Sequence, residues 1–160
     1  MSAPRRRELD PKLDLMVERE VRASPQTAWA AWTQPEHVCQ WYAPAPGTIA
    51  DCEIDLRPGG VFRFVPRSPD GVENRVTCCY LEVQPFARLV WTDALLPGYR
   101  PATAGFFTAV MTLEPRGDFT LCTTVAMHRD EHDRDHHAEM GFYDGWGTVL
   151  DQLVRYAPTI

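Results

Sequence analysis

Basic residues are scarce in this sequence: 16 lysines and arginines stand against 22 aspartates and glutamates, for a formal charge of -6. Nucleic acids and anionic membranes call for a basic face, so the balance excludes both as partners. The single basic run, Arg5-Arg6-Arg7, reads as part of a flexible, solvated tail over residues 1–11, followed by one domain over 12–160. No apolar run approaches the roughly twenty residues that span a bilayer, and the first turns of the chain carry no signal-peptide core. The expected location is the cytoplasm. Also missing are the Cys-x-x-Cys pair, the Gly-x-Ser-x-Gly elbow, the phosphate-binding loop, the dinucleotide fingerprint and a paired-carboxylate signature. No cofactor is therefore expected. Cys39, Cys52, Cys78, Cys79 and Cys122 make an odd count without an export signal, which reads as reduced thiols serving as small apolar filler.

Turn-formers are plentiful instead, with fourteen prolines and ten glycines. Leu13, Leu15, Val17, Arg19 and Val21 alternate with polar residues, the period of a half-buried strand over 13–22. Ser24-Pro25 then supplies a helix cap followed by proline at the first helical position, and Pro35 ends that helix and starts another. Short strands follow near 49–56, 60–66, 73–84, 88–93, 105–114 and 118–128, punctuated by tight-turn sequences such as Pro69-Asp70-Gly71. Strands this close in sequence must pair antiparallel. The segment 94–104 is the one longer loop, with Leu95, Leu96 and Tyr99 in it. From Asp133 to Tyr156 the spacing predicts a single long helix with Met140, Tyr143, Trp146, Leu150 and Leu153 on one stripe. The order predicts an α+β domain: a seven-stranded antiparallel sheet covered on one face by the C-terminal helix.

Four of the five histidines fall between His128 and Met140, and the first five residues there fit His-x-x-Glu-His. A catalytic zinc needs two histidines on one helical face and a third ligand. His128 ends a strand pattern, so the pentapeptide straddles a strand-to-helix turn that puts His132 in the turn, and Glu139 is the one glutamate downstream. A looser cluster of His128, His132 and His136 or His137 with Asp130, Asp133 or Asp135 is chemically suited to a divalent ion; a solvated connection with its acids near a helix N-terminus explains the same residues, and no metal is expected. In one continuous helix His136 falls in line with Tyr143 and Leu150 on the buried stripe, whereas His137 falls in line with Asp144 and Asp151 and should be wet.

The stretches SPQTAWAAWTQPEHVCQWYAP at 24–44, DLRPGGVFRF at 55–64, LEVQPFARLVWT at 81–92 and HAEMGFYDGWGTVLDQL at 137–153 resemble the START-like superfamily, and within it the Hsp90 ATPase activator homologues. The resemblance implies the helix-grip fold, a curved sheet wrapped around the closing helix, with a cavity between them for a small, largely apolar molecule. Members of the superfamily bind lipids, hormones and polyketides, and some cyclise or hydrate what they bind. The co-chaperone that gives the family its name also relies on a separate N-terminal domain, which is not expected here, so a chaperone partner is disfavoured.

On that architecture the expected cavity residues are Trp41, Phe62, Phe64, Tyr80, Trp91, Phe107, Met111, Met140, Tyr143 and Trp146, with the 94–104 loop gating the opening. Arg63 and Arg75 either meet an anionic ligand group or point outward. The expected function is binding of a hydrophobic or aromatic small molecule, with room for a homodimer. The rivals are a cyclase- or hydrolase-like enzyme using Asp93, His136 or Tyr80 as acid or base, and a chaperone-interacting module with an exposed apolar patch on the outer sheet face.

Overall fold

In the computed structural model, which describes residues 9–160, the chain runs β1 (Asp14–Val21), α1 (Pro25–Thr33), α2 (Pro35–Trp41), β2 (Thr48–Ile54), β3 (Val61–Arg67), β4 (Val76–Gln84) and β5 (Arg88–Thr92). It continues through β6 (Leu95–Leu96), β7 (Arg100–Pro101), β8 (Thr108–Arg116), β9 (Phe119–Met127), α3 (Glu131–Glu139), α4 (Phe142–Tyr156) and a final 3-10 turn, Ala157–Thr159. The first eight residues of the expected tail, with the arginine run, lie outside the described residues. Seven strands form one antiparallel sheet in the order β1-β9-β8-β5-β4-β3-β2, while β6 and β7 make a separate two-stranded ribbon inside the segment expected as a plain loop. The helix-grip fold is as expected. No helix among the described residues is long and apolar enough to cross a membrane.

Alternation decides which side chains enter the core. The register Leu15↔Ala126, Ala109↔Ala126, Trp91↔Ala109 and Tyr80↔Trp91 runs one inward row across five strands. These residues, with Phe62, Leu89, Met111 and Cys122, form the main core with α1, α2 and α4. The neighbouring positions Val90, Val110 and Val125 face the other way and make a small cluster on the outer face, where each is buried.

Local chemistry sets the helix ends. Ser24 Oγ accepts the Thr27 amide at 3.1 Å and Pro25 stands in the first turn, so α1 begins where a cap and a fixed φ coincide. Asp130 does the same for α3, its Oδ1 accepting the Asp133 amide at 2.8 Å. The single helix expected over 133–156 is instead two. Gly141 has φ +96°, a left-handed value that glycine adopts without the steric penalty of a Cβ, and it turns the chain between α3 and α4. Because α3 starts at Glu131 behind the Asp130 cap, His132 lies in its first turn rather than in a connection.

Candidate functional site

The break between α3 and α4 overhangs the inner face of the sheet and leaves a hollow of about 350 Å³. Its floor is sheet: Phe64 from β3, Val76 and Cys78 from β4, Trp91 from β5 and Phe107 just before β8. Its roof is helical, with His137 and Met140 before the break and Phe142, Gly145, Trp146 and Val149 after it. Tyr42 and Pro44, just past α2, close one side. Gln152 holds that side in place from α4. Its Nε2 donates to the carbonyls of Trp41 at 2.8 Å and Ala43 at 2.7 Å, and its Oε1 accepts the Ala45 amide at 2.8 Å.

Aromatic edges do much of the positioning. Tyr42 meets Phe64 at 5.0 Å and Trp146 at 5.7 Å, both edge to face, and Trp146 stacks on Trp32 at 6.5 Å. Behind them Phe62 stacks on Tyr80 at 5.6 Å and meets the Trp91 ring edge-on at 5.8 Å. Of the residues expected to line a cavity, Phe64, Trp91, Phe107, Met140 and Trp146 border the hollow. Trp41, Phe62, Tyr80 and Met111 are packed in the core instead, and Tyr143 is 52% exposed, because Gly141 resets the helical phase between His136 and Tyr143. The 94–104 segment contributes no lining residue. Its β6–β7 ribbon folds over the Gly59-Gly60 turn, with the Gly98 amide 2.8 Å from the Gly59 carbonyl, and so it does not gate this opening.

The expected acid–base groups do not converge on the hollow. Asp93 Oδ1 accepts the Phe106 and Phe107 amides at 2.8 and 3.1 Å, pinning the chain into β8. His136 is exposed, contrary to the continuous-helix reading, and its neighbour His137 is the one on the wall. Tyr80 is fully buried with no hydrogen-bond partner for its hydroxyl, and burial pushes that hydroxyl well above its ordinary range. An unpartnered buried hydroxyl carries a desolvation cost of about 1–3 kcal/mol. Tyr80→Phe is therefore expected to raise stability by roughly 1 kcal/mol, read as a higher urea midpoint; lower stability would mean that the hydroxyl has an essential partner. Arg63 pairs with Glu53 at 2.6 Å on the outer face, and Arg75 is exposed, so neither reaches the hollow.

The Cys78 thiol on the wall is pushed up to about 12 by burial, then by the charges of Asp93 and Cys79, and it offers no thiolate near neutral pH. All five cysteines are free. In the histidine-rich stretch, ligand atoms of Asp130, His132 and Asp133 lie within 4.8 Å of one another. Their chemistry is already engaged: Asp130 caps α3, and Asp133 Oδ2 accepts from Arg129 Nη2 at 2.9 Å. His128 turns away from this group, toward Leu13 and His137.

His137 is the titratable side chain that the broken helix carries to the wall. Burial first, and then the charges of His128 and His136, together lower its pKa from 6.5 to about 4. The unfolded chain thus takes up a proton at this position that the folded chain refuses. The sign follows: the stability due to neutral His137 is present above pH 6.5 and is lost as pH falls toward 4. Allowing for partial exposure of the ring, this loss is about 1–2 kcal/mol. His137→Gln should flatten the fall of the urea midpoint over that window; an unchanged pH slope would show that the ring titrates alike in both states. A signal for this residue was available in the sequence, because Gly141 just after His-His-Ala-Glu-Met is a helix stop.

The chain matches the family described as Activator of Hsp90 ATPase homolog 1-like protein over residues 22–157. Among solved structures, a Nitrosomonas europaea protein is similar at 42% identity and TM-score 0.91, covering 94% of this chain and 97% of that one. A Rhodobacter sphaeroides protein is similar at 18% identity and TM-score 0.81, with 96% of this chain and 97% of that one covered. An AHSA1-like protein from Aeromonas hydrophila is similar at 17% identity and TM-score 0.70, covering 92% and 93%. The last two likenesses speak to the fold alone. No curated protein matches the chain.

Proposed function

The chain belongs to the family of Activator of Hsp90 ATPase homolog 1-like proteins, and from that membership we propose that it binds a hydrophobic or aromatic small molecule between the closing helices and the curved sheet. The observation that carries this reading is the hollow itself. Protein interiors are close-packed, yet about 350 Å³ stays unfilled between walls built from Phe64, Trp91, Phe107 and Trp146. That volume lies near the lower end of the roughly 300–1,000 Å³ of small-molecule sites. It suits a compact ring system rather than a long acyl chain.

Binding is favoured over an enzymatic role because Asp93, Tyr80 and His136 each sit away from the hollow, held by backbone amides, buried in the core or exposed. A chaperone-docking role asks for an exposed apolar patch on the outer sheet face, where the described valines Val90, Val110 and Val125 are buried.

Native mass spectrometry of untagged protein, with tryptophan fluorescence during titration by β-naphthol, tests the reading. The expected result is a retained organic mass or saturable one-to-one quenching. Neither a retained mass nor saturable quenching, together with stimulation of an Hsp90-type ATPase by the protein, would overturn it in favour of the chaperone role.

A further inference from the structure

The wall of the hollow carries a polar group whose proton can be assigned. His128, one residue past β9, is buried with Nδ1 2.8 Å from the carbonyl oxygen of Leu13. A carbonyl only accepts, so His128 carries its proton on Nδ1. In that tautomer His128 offers a lone pair at Nε2, and this atom lies 2.7 Å from His137 Nδ1. That short contact needs one proton, and His137 must supply it from Nδ1. The remaining nitrogen, His137 Nε2, is left as a bare acceptor. It has no partner among the described residues and is not among their sealed polar atoms.

The ring cannot easily turn to offer a different edge. Phe106 and Phe142 lie 5.0 Å from it, Phe107 lies 5.4 Å from it, and the His128 contact fixes which nitrogen faces away. The surrounding wall contains no carboxylate, lysine or arginine, so nothing there neutralises a charged ligand. Its other polar side-chain groups, the Tyr42 hydroxyl, the Cys78 thiol and the Trp91 and Trp146 indoles, are able to donate.

Resting on the reading that the hollow binds an apolar molecule, we infer that its occupant is a neutral ring compound bearing a hydroxyl, phenolic or alcoholic, which donates to His137 Nε2. An ether of the same skeleton leaves that lone pair desolvated and unpaired. A carboxylate places negative charge against it. Both should be rejected relative to the hydroxyl compound. The low proton affinity of His137 agrees with an imidazole that stays a neutral acceptor at physiological pH.

The test compares β-naphthol, its methyl ether and β-naphthoate by fluorescence titration at neutral pH, on the wild-type chain and on His137→Leu. Wild type should bind β-naphthol roughly tenfold or more tighter than either analogue, the size expected for one hydrogen bond inside an apolar site. His137→Leu should bind the naphthol and its ether alike. Equal affinities for all three on wild type would overturn the hydroxyl assignment while leaving the hollow's binding role intact. Binding of none of them would instead count against that role. Nitrogen-correlated NMR of the wild-type imidazoles gives a readout independent of any variant's folding. The expected proton on His137 is at Nδ1, and a proton on Nε2 overturns the inference.

Discussion

Trp91→Ala is expected to destabilise the fold by about 3–5 kcal/mol, the range for removing a large aromatic side chain from a packed core. The indole is 1% exposed and packs against two other aromatic rings, 5.8 Å from Trp32 and 5.8 Å from Phe62. The site has little means to collapse after truncation. Tyr80 and Ala109 flank Trp91 on paired strands, and the opposite side is already the hollow, so the new void joins an existing one. A domain of this length has a total stability of only about 5–15 kcal/mol. The loss should appear as a Tm lower by roughly 10 °C or more, with the urea midpoint falling in proportion. A cost below about 1 kcal/mol would mean that neighbouring rings swing in to fill the gap, contrary to a rigid floor.

Gly145→Leu should act oppositely on stability and on binding. Gly145 lies in the interior of α4, borders the hollow, and a Cβ built there meets nothing within 4 Å. Glycine in a helix interior costs about 0.8–1.0 kcal/mol relative to alanine, and leucine is nearly as good a helix former as alanine. The variant should thus be more stable by roughly 0.5–1 kcal/mol. Its isobutyl group enters the space that a ligand would occupy, so affinity for β-naphthol should fall more than tenfold. The opposed signs separate a steric block from a folding defect. Full affinity combined with raised stability would place the ligand site outside this hollow.

The sheet was legible from residue spacing because a strand's period is two and needs only local sequence. Leu15 and Val17, Phe62 and Phe64, and Leu89 and Trp91 each announce an inward face without reference to any partner. The Ser24-Pro25 start of α1 was legible for the same reason, since cap and fixed φ lie side by side. The candidate site was harder. Phe62 and Phe64 share one face of β3, yet one packs on Tyr80 while the other borders the hollow, a difference set by which helix lies overhead. The helical side turned on one residue: reading the apolar stripe through Gly141 brought His136 and Tyr143 inward, whereas its positive φ sends His137 and Phe142 there instead. Tyr42 and Pro44 gave no periodic sign, because Gln152 positions them from far along the chain.

The pairing of β1 with β9 has a consequence for synthesis. The register Asp14↔Met127 to Val21↔Thr120 makes the last strand the sole sheet neighbour of the first. At translation rates of about 5–20 residues per second, β1 leaves the ribosome several seconds to some twenty seconds before its partner. Throughout that interval its apolar side chains, Leu15, Val17 and Val21, have no strand beside them, although each is buried in the finished fold. The β2-to-β5 meander can pair as it emerges, but the sheet cannot be completed until β9 is free, and loop closure over so long a separation is slow. The nascent chain is therefore most exposed to aggregation and proteolysis at its beginning, in the strand that waits longest.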